Sequence, residues 1–280
     1  MKLARRIVTL GVVAFTFSLA PMLAVGQTAG APPVSLTPDQ MEVFLLKADI
    51  ARVRDAGNGV TGSRRATLTD GTFSHDVHIQ VVNEERTRFE AGKKTELNFK
   101  DLARYNITGY RLARLLGMDN VPMSVERFFN GKPAAFTWWV DDVKMDEKER
   151  MKQKAAGPDP ARTSMQVQVM RVFDVLIQNT DRNQGNMLWT GDWKLWLIDH
   201  TRAFRLGTKL DKPDNLSRCD GPLLDRLRGL TKATLRGAIG KAITDGEISA
   251  LLARRDAIVK HYEGRIATRG EAAVLFALAR

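Results

Sequence analysis

The chain has 280 residues, of which 44% are hydrophobic and 27% are charged, a balance typical of a globular protein with a hydrophobic core. This composition excludes a collagen, a disordered tail and a protein with several membrane spans. The single cysteine, Cys219, excludes an intramolecular disulfide framework and a zinc site built from paired cysteines.

Residues 1–26 have the pattern of a secretory signal peptide. Lys2, Arg5 and Arg6 precede an apolar stretch at residues 7–20 that is short for a membrane span, and small residues follow it. An uncleaved N-terminal anchor is the alternative. Removing the leader leaves a net charge of +8 and no transmembrane span. We therefore expect an exported protein, periplasmic or secreted, without a nucleic-acid partner.

The N-terminal half is predicted to consist mainly of strands. A linker at residues 27–38 ends in a helix start, with Thr37 as N-cap and Gln40 at the capping-box position. The elements predicted after it, in chain order, are strands at 50–54 and 64–69, a hairpin turn at Asp70-Gly71, a strand at 73–82, a helix at 99–117, and strands at 121–127 and 136–140 joined by a turn at Asn130-Gly131.

The C-terminal half is predicted to be mainly helical. Its predicted elements are a charged loop from residue 146, a helix at 167–178, a strand pair at 187–189 and 195–198, and helices after Pro222, one of them starting with a capping box at Thr244. Strands followed by helices predict an α+β protein with an N-lobe at 39–140 and a C-lobe at 141–280.

Gly57, Gly59 and Gly62 form a G-x-G-x-x-G motif between two predicted strands. Because no helix follows, the pattern disfavours a dinucleotide-binding fold. A glycine-rich hairpin lets the backbone approach phosphates closely, as in the loop that covers ATP in kinases. An ordinary hairpin turn remains the alternative.

Asp181 and Asn186 lie in a polar loop after an apolar helix, and Asp199 ends the apolar strand that follows. The spacing of the first two equals that of D-x-x-x-x-N in the kinase catalytic loop. Such a set can accept a substrate proton on one carboxylate and hold a divalent ion on the other two oxygen ligands. A calcium loop and a simple turn are alternatives. His200 either orients Asp199 or is an ordinary imidazole.

Residues 175–186, together with 197–199, resemble the atypical kinases: the phosphatidylinositol 3- and 4-kinases, the HipA toxins and the secretory-pathway kinases related to Golgi casein kinase. Residues 104–117 and Val121-Pro122 are similar to a helix and the following strand of those secretory kinases. The resemblance covers about residues 50–205. It implies an α+β, two-lobed protein-kinase-like fold with an antiparallel-sheet N-lobe and a mainly helical C-lobe.

The resemblance also implies roles for individual residues. Asp181 corresponds to the catalytic base, and Asn186 and Asp199 correspond to ligands of Mg²⁺ or Mn²⁺. The cofactor is ATP or another nucleoside triphosphate. The residues implied to bind it are Gly57, Gly59 and Gly62 over the phosphates, Gln80 and Asn106 near them, and Trp138 and Trp139 at the hinge beside the adenine.

Two positions depart from the family pattern. Gln80 stands where the family has the lysine that pairs with phosphate, and Asn106 stands where it has the glutamate partner of that lysine. A neutral amide can donate a hydrogen bond to phosphate but lacks the charge of an ammonium group. Other residues that could replace the lysine or the glutamate are Lys47, Arg64, Lys93 and Lys94, and Glu90 and Glu96.

Two functions follow from these residues. The first is metal-dependent transfer of a phosphoryl group from a nucleoside triphosphate to a protein or cell-envelope hydroxyl, which the triad Asp181, Asn186 and Asp199 favours. The second is a non-catalytic pseudokinase, a nucleotide- or metal-binding scaffold or a partner-binding module, which Gln80 and Asn106 favour. We lean toward the phosphotransferase.

Overall fold

The structure is a computed structural model, and it describes residues 36–55, 63–91 and 94–279. The predicted leader and almost all of the predicted linker lie outside these residues. Residues from Leu36 onward belong to one structural unit. The helices within the described residues are α1 (Pro38–Lys47), α2 (Arg104–Leu115), α3 (Glu147–Gln153), α4 (Pro160–Ile177), α5 (Gly221–Arg228), α6 (Lys232–Ile239), α7 (Asp245–Arg269) and α8 (Glu271–Val274).

The strands of the described residues form four sheets. They are β1 (Asp49–Asp55), β2 (Arg64–Thr69), β3 (Ser74–Gln80), β4 (Asn83–Ala91), β5 (Lys94–Leu102), β6 (Ser124–Phe129), β7 (Lys132–Trp138), β8 (Val143–Asp146), β9 (Met187–Thr190), β10 (Leu195–Leu197), β11 (Cys219–Asp220) and β12 (Leu275–Phe276). The largest sheet is antiparallel, in the order β1-β2-β3-β7-β6. A second sheet has the order β10-β9-β8, and the pairs β4-β5 and β11-β12 complete the set.

Local signals account for the ends of several elements. The Thr37 hydroxyl accepts a hydrogen bond from the Gln40 backbone N–H, and the Gln40 side chain accepts one from the Thr37 N–H, so the predicted capping box begins α1. At the predicted β6-β7 turn, Asn130 and Gly131 both have positive φ, 50° and 74°, which matches the twist of a two-residue hairpin. These predictions are confirmed.

One prediction in this region was wrong in its boundary. The helix predicted from residue 99 begins at Arg104, because Phe99 belongs to β5 and pairs with Arg86 of β4. The β4-β5 hairpin was not predicted at all. Its strands carry charged side chains on exposed positions and give no clear apolar alternation, and a stacked ring pair, Phe89 and Phe99 with centroids 4.1 Å apart, stabilises it instead.

The buried hydrophobic side chains form two main clusters. The smaller cluster joins the five-stranded sheet to α1 and includes Leu45, Leu68 and Phe136. The larger one lies among α2, α4, α5 and α7, and includes Phe173 and the buried thiol of Cys219, whose pKa burial raises to about 12. No helix in the described part of the chain is both long enough and apolar enough to cross a bilayer.

Backbone hydrogen bonds connect the segments that carry the predicted site residues. The N–H of Leu102, at the end of β5, donates to the Thr201 carbonyl at 3.0 Å. The Ile198 N–H, just after β10, donates to the Asn186 carbonyl at 3.1 Å, which closes the β9-β10 unit. The end of β5 and the loop after α4 are therefore both bound to the segment that follows β10.

Candidate active site

The loop that carries Asp181 begins where α4 ends. Gln178 adopts a left-handed conformation with φ of 47° and closes the helix, and the Asp181 N–H then donates to Asn179 Oδ1 at 3.0 Å. The Asp181 carboxylate is 46% exposed, and Arg202 Nη1 lies 3.8 Å from its Oδ2. Burial raises the pKa of Asp181, with a further rise from Asp199, while Arg202 lowers it.

Arg182 holds this loop in place. Its Nε donates to Asp174 of α4 at 3.0 Å, and its side chain is only 8% exposed. Its Nη1 donates to two carbonyls, at 2.9 Å to Asn186 and at 2.6 Å to Ile198. One guanidinium thus fastens the loop to a helix on one side and to the β10 end on the other.

Asn186 and Asp199 therefore occupy neighbouring chain segments. Asn186 Nδ2 donates to the Asp181 carbonyl at 3.3 Å, a contact that uses the amide nitrogen and not the amide oxygen that a cation requires. Asp199 has a φ of 55°, rare for a residue with a side chain. The Thr201 N–H and hydroxyl both donate to Asp199 Oδ1, at 3.3 and 2.9 Å, and fix that conformation.

His200 is a buried, neutral imidazole. Burial lowers its pKa well below the ordinary value, and Arg182, whose Nη2 lies 3.0 Å from His200 Nε2, lowers it further. Because the guanidinium is always protonated, Nε2 is the acceptor and the proton of the ring is on Nδ1. The ring packs against Gly109 of α2, where a Cβ would lie 3.1 Å from His200 Cγ. His200 joins the loop to α2.

Gln80 and Asn106 contact each other directly. Asn106 Nδ2 donates to Gln80 Oε1 at 2.7 Å, and both side chains are buried. Asn106 Oδ1 accepts from the His200 N–H at 2.7 Å, so the amide is hydrogen-bonded at both ends. The two family positions that differ in this chain are thus paired with each other as neutral groups, and neither leaves a buried charge unpartnered.

The two tryptophans lie at the end of the sheet. The Trp138 ring stacks on His75 with centroids 3.8 Å apart, and the Arg65 guanidinium lies 4.0 Å from the Trp139 ring centroid. Gly57, Gly59 and Gly62, with Lys93, lie outside the described residues. Among the other suggested replacements, Arg64 pairs with Asp55, and Glu96 pairs with two arginines.

Sequence reasoning named Glu96 only as a possible replacement for the glutamate, and it missed Asp101, Arg202 and Arg205. Glu96 of β5 accepts from Arg202 at 2.9 Å and lies 2.6 Å from Arg205, and these two guanidinium groups also lie over the Phe99 ring. Asp101, also of β5, is 8% exposed. Glu96 and Asp101 both belong to β5. Predicting the β4-β5 hairpin would therefore have drawn attention to these two acids.

The predicted metal ligands are one carboxylate and one carboxamide. Within residues 36–55, 63–91 and 94–279, no three His, Cys, Asp or Glu side chains are grouped to hold a metal ion. Mg²⁺ is commonly held by one or two carboxylates, with waters and substrate phosphates completing its coordination, so a small oxygen set suits it. The Asp101 Oδ1 atom, buried and without a hydrogen-bond partner, adds an unused oxygen nearby. The residues present fit such an ion.

Several solved structures share the fold of this chain. The structure of hydra Fam20 with sugar matches at a TM-score of 0.64 and 16% identity, over 85% of this chain and 92% of that one. Golgi casein kinase with Mn and ADP bound matches at 0.61 and 14% identity, over 85% and 78% of the two chains. CtkA, a proinflammatory kinase of Helicobacter pylori, matches at 0.50 and 11% identity, over 80% and 97%.

No protein-family model matches the chain, and neither does any curated protein. The structural likeness defines the class: the chain has the α+β, kinase-like fold of the atypical kinases, with an antiparallel sheet followed by a mainly helical part. The predicted resemblance to Golgi casein kinase is confirmed at the level of fold.

Proposed function

We propose that this protein is a phosphotransferase that uses a divalent metal ion and a nucleoside triphosphate. The proposal is carried by the backbone contacts around the three residues. Arg182, next to Asp181, donates to the carbonyls of Asn186 and of Ile198, which precedes Asp199, and the Ile198 N–H donates to the Asn186 carbonyl. A fold alone does not define a function, but a partly exposed carboxylate beside two oxygen ligands suits phosphoryl transfer.

Asp181 would orient the acceptor hydroxyl and take up its proton. Its carboxylate is exposed enough to meet a substrate, and Arg202 at 3.8 Å opposes the effect of burial on its pKa. Asn186 and Asp199 would hold Mg²⁺ or Mn²⁺, which offsets the charge of the phosphate groups. Mn and ADP are bound in Golgi casein kinase, whose fold this chain shares.

Nucleotide contacts are proposed for the other predicted residues. Gly57, Gly59 and Gly62 would bring backbone N–H groups over the phosphates, and the segment at Trp138 and Trp139 would lie beside the adenine. The acceptor is a hydroxyl of a protein or of the cell envelope. Export through the leader at residues 1–26 is part of the proposal, and the N-terminal sequence of the mature protein tests it: cleavage exposes Gln27.

Transfer of labelled γ-phosphate tests the proposed activity. With Mn²⁺ or Mg²⁺ and a generic protein acceptor, Asp181→Asn should lower the rate about 10²- to 10⁴-fold, the usual contribution of a general base. Asp225→Asn on α5 is the matched control, because its carboxylate is exposed and pairs with Arg228 in the same helix. An unchanged rate in the Asp181 variant contradicts the assignment of the base.

The second candidate is a pseudokinase that binds a nucleotide, a metal or a partner protein without catalysis. The hydrogen-bonded Gln80–Asn106 pair favours it, because this pair offers no positive charge to a phosphate. Thermal-shift titration with ATP and Mn²⁺ separates the two candidates. A shift that Asp199→Ala abolishes, with no transfer to any acceptor, supports the pseudokinase.

A further inference from the structure

Asp101 is a buried acid that the proposed reaction does not use. It lies at the end of β5 and is 8% exposed, and no donor among the described residues reaches its Oδ1. A buried carboxylate oxygen without a hydrogen bond is costly to the folded protein. A group of this kind indicates either a destabilising defect or a ligand that is bound when the protein works.

Backbone contacts place Asp101 beside Asp199. The N–H of Leu102, the next residue, donates to the Thr201 carbonyl at 3.0 Å, so the end of β5 lies along the segment that carries Asp199. Thr201 interacts with both acids: its hydroxyl donates to Asp199 Oδ1 at 2.9 Å, and a side-chain hydrogen bond with Thr201 lowers the pKa of Asp101. The nearby Arg202 is engaged by Glu96 at 2.9 Å. Burial raises the pKa of Asp101, and the charge of Asp199 raises it further, which agrees with the proximity of the two acids.

We infer that Asp101 is a third ligand of the divalent cation held by Asn186 and Asp199. The inference rests on the proposed function and adds a residue from β5 to its metal site. Two carboxylate oxygens and one amide oxygen form a set that suits Mg²⁺ or Mn²⁺, and the cation removes the repulsion between the two acids. Asn106 is already engaged, because its Oδ1 accepts from the His200 N–H and its Nδ2 donates to Gln80.

The inference predicts opposite effects of one substitution with and without metal. Asp101→Asn keeps the shape of the side chain but removes a buried charge beside Asp199. The melting temperature of the metal-free variant should therefore equal or exceed that of the wild type. Its Kd for Mn²⁺ should rise at least about 10- to 100-fold, the loss caused even by removing a group that supports a metal ligand.

The experiment uses the full-length protein and Mn²⁺ alone as the probe. Free Mn²⁺ is measured by electron paramagnetic resonance during titration, and melting temperatures are recorded with and without the metal. Asp199→Asn is the variant that should lose binding, and Asp225→Asn is the matched exposed control that should bind as the wild type does.

The outcomes separate this inference from the proposed function. If Asp199→Asn abolishes Mn²⁺ binding while Asp101→Asn leaves the Kd unchanged, the third ligand is wrong and the metal site stands. A lower melting temperature of metal-free Asp101→Asn with unchanged Mn²⁺ affinity assigns a purely structural role and also overturns the inference. A wild-type protein that binds no Mn²⁺ overturns both. Weaker binding together with an undiminished metal-free melting temperature supports the third ligand.

Discussion

The two sides of the candidate site are held together by different interactions. On the loop side, one buried guanidinium, Arg182, binds a carboxylate and two carbonyls around Asp181 and Asn186. On the strand-helix side, Gln80 and Asn106 meet as neutral amides. The loop side thus contains charged groups near the predicted metal ligands. The strand-helix side has two neutral amides at the positions where the family has a lysine and a glutamate. Positions 80 and 106 therefore carry no charge and leave no unpaired ion at either position.

The strongest test of this difference is Arg182→Met, which removes every donor but keeps an unbranched side chain. It leaves the Asp174 carboxylate buried without a cation, so the free energy of unfolding should fall by about 3–5 kcal/mol. Denaturant unfolding measures the loss. Lys152→Met is the control, because the Lys152–Glu149 pair is exposed and should contribute less than about 1 kcal/mol. Equal losses of stability in the two variants would show that Arg182 contributes no more than an exposed ion pair.

Glu247 of α7 is a second buried charged residue, and it tests whether buried ion pairs also stabilise the protein outside the loop that carries Asp181. Glu247 Oε1 accepts from Lys100 at 2.6 Å and from Tyr105 at 2.7 Å. Burial by itself would raise the pKa of Glu247, but these hydrogen bonds outweigh it and hold the pKa below the ordinary value. Glu247→Gln should therefore lower the free energy of unfolding at pH 7 by about 3 kcal/mol.

The pH dependence gives this variant a second readout. A carboxylate whose pKa is lower in the folded state stabilises the protein above its unfolded pKa, and this stability is lost as the pH falls through the folded pKa. The difference between wild type and Glu247→Gln should be largest at neutral pH and shrink as the acid becomes protonated. Unfolding measured from pH 7 to pH 3 checks this; a constant difference would contradict it.

Restoring the missing charges tests the neutral side. Gln80 is 2% exposed, so Gln80→Lys alone places an ammonium group in the interior and should cost about 2–3 kcal/mol. Adding Asn106→Glu supplies a partner, and the double variant should recover about 1–2 kcal/mol of that loss. Urea unfolding of both single variants and the double variant gives the coupling. No coupling would show that positions 80 and 106 do not act as a pair.

The smallest expected effect concerns the contact between α2 and His200. In Gly109→Ala the new Cβ would lie 3.1 Å from His200 Cγ, and overpacking of this kind costs about 1–3 kcal/mol. Gly237→Ala in α6 is the matched control: nothing lies within 4 Å of its Cβ, and it should stabilise by about 0.5–1 kcal/mol. Thermal unfolding compares the two. A stabilised Gly109→Ala variant would show that the His200 side chain can shift to accept the new methyl group at little cost.

The sequence predicted what depends on short-range patterns. The capping box at Thr37 and the hairpin turn at Asn130-Gly131 rest on residues a few positions apart, and both lie where they were predicted. The helix that precedes Asp181 ends within one residue of its predicted end but begins at Pro160, seven residues before its predicted start. The resemblance carried by Asp181, Asn186 and Asp199 indicated the kinase-like fold, which the structural neighbours confirm.

What the sequence did not predict depends on contacts between distant segments. The β4-β5 hairpin has few apolar residues, so its alternation is hidden, and only the folded chain shows that Glu96 and Asp101 lie beside the loop after β10. The resemblance placed Gln80 and Asn106 at the positions of two partners, and the folded chain adds the hydrogen bond that joins them across 26 positions. The roles of the predicted site residues stay predictions.

Cys219 allows opening of the larger hydrophobic cluster to be measured with a thiol reagent. Its thiol is fully enclosed, its pKa is raised to about 12, and it is the chain's one sulfhydryl. A disulfide reagent such as dithionitrobenzoate can therefore react with this thiol only after the larger cluster opens. Opening of the smaller cluster alone gives no reaction and no colour. The rate of colour release then reports how often the helical part of the native protein opens, without any introduced label.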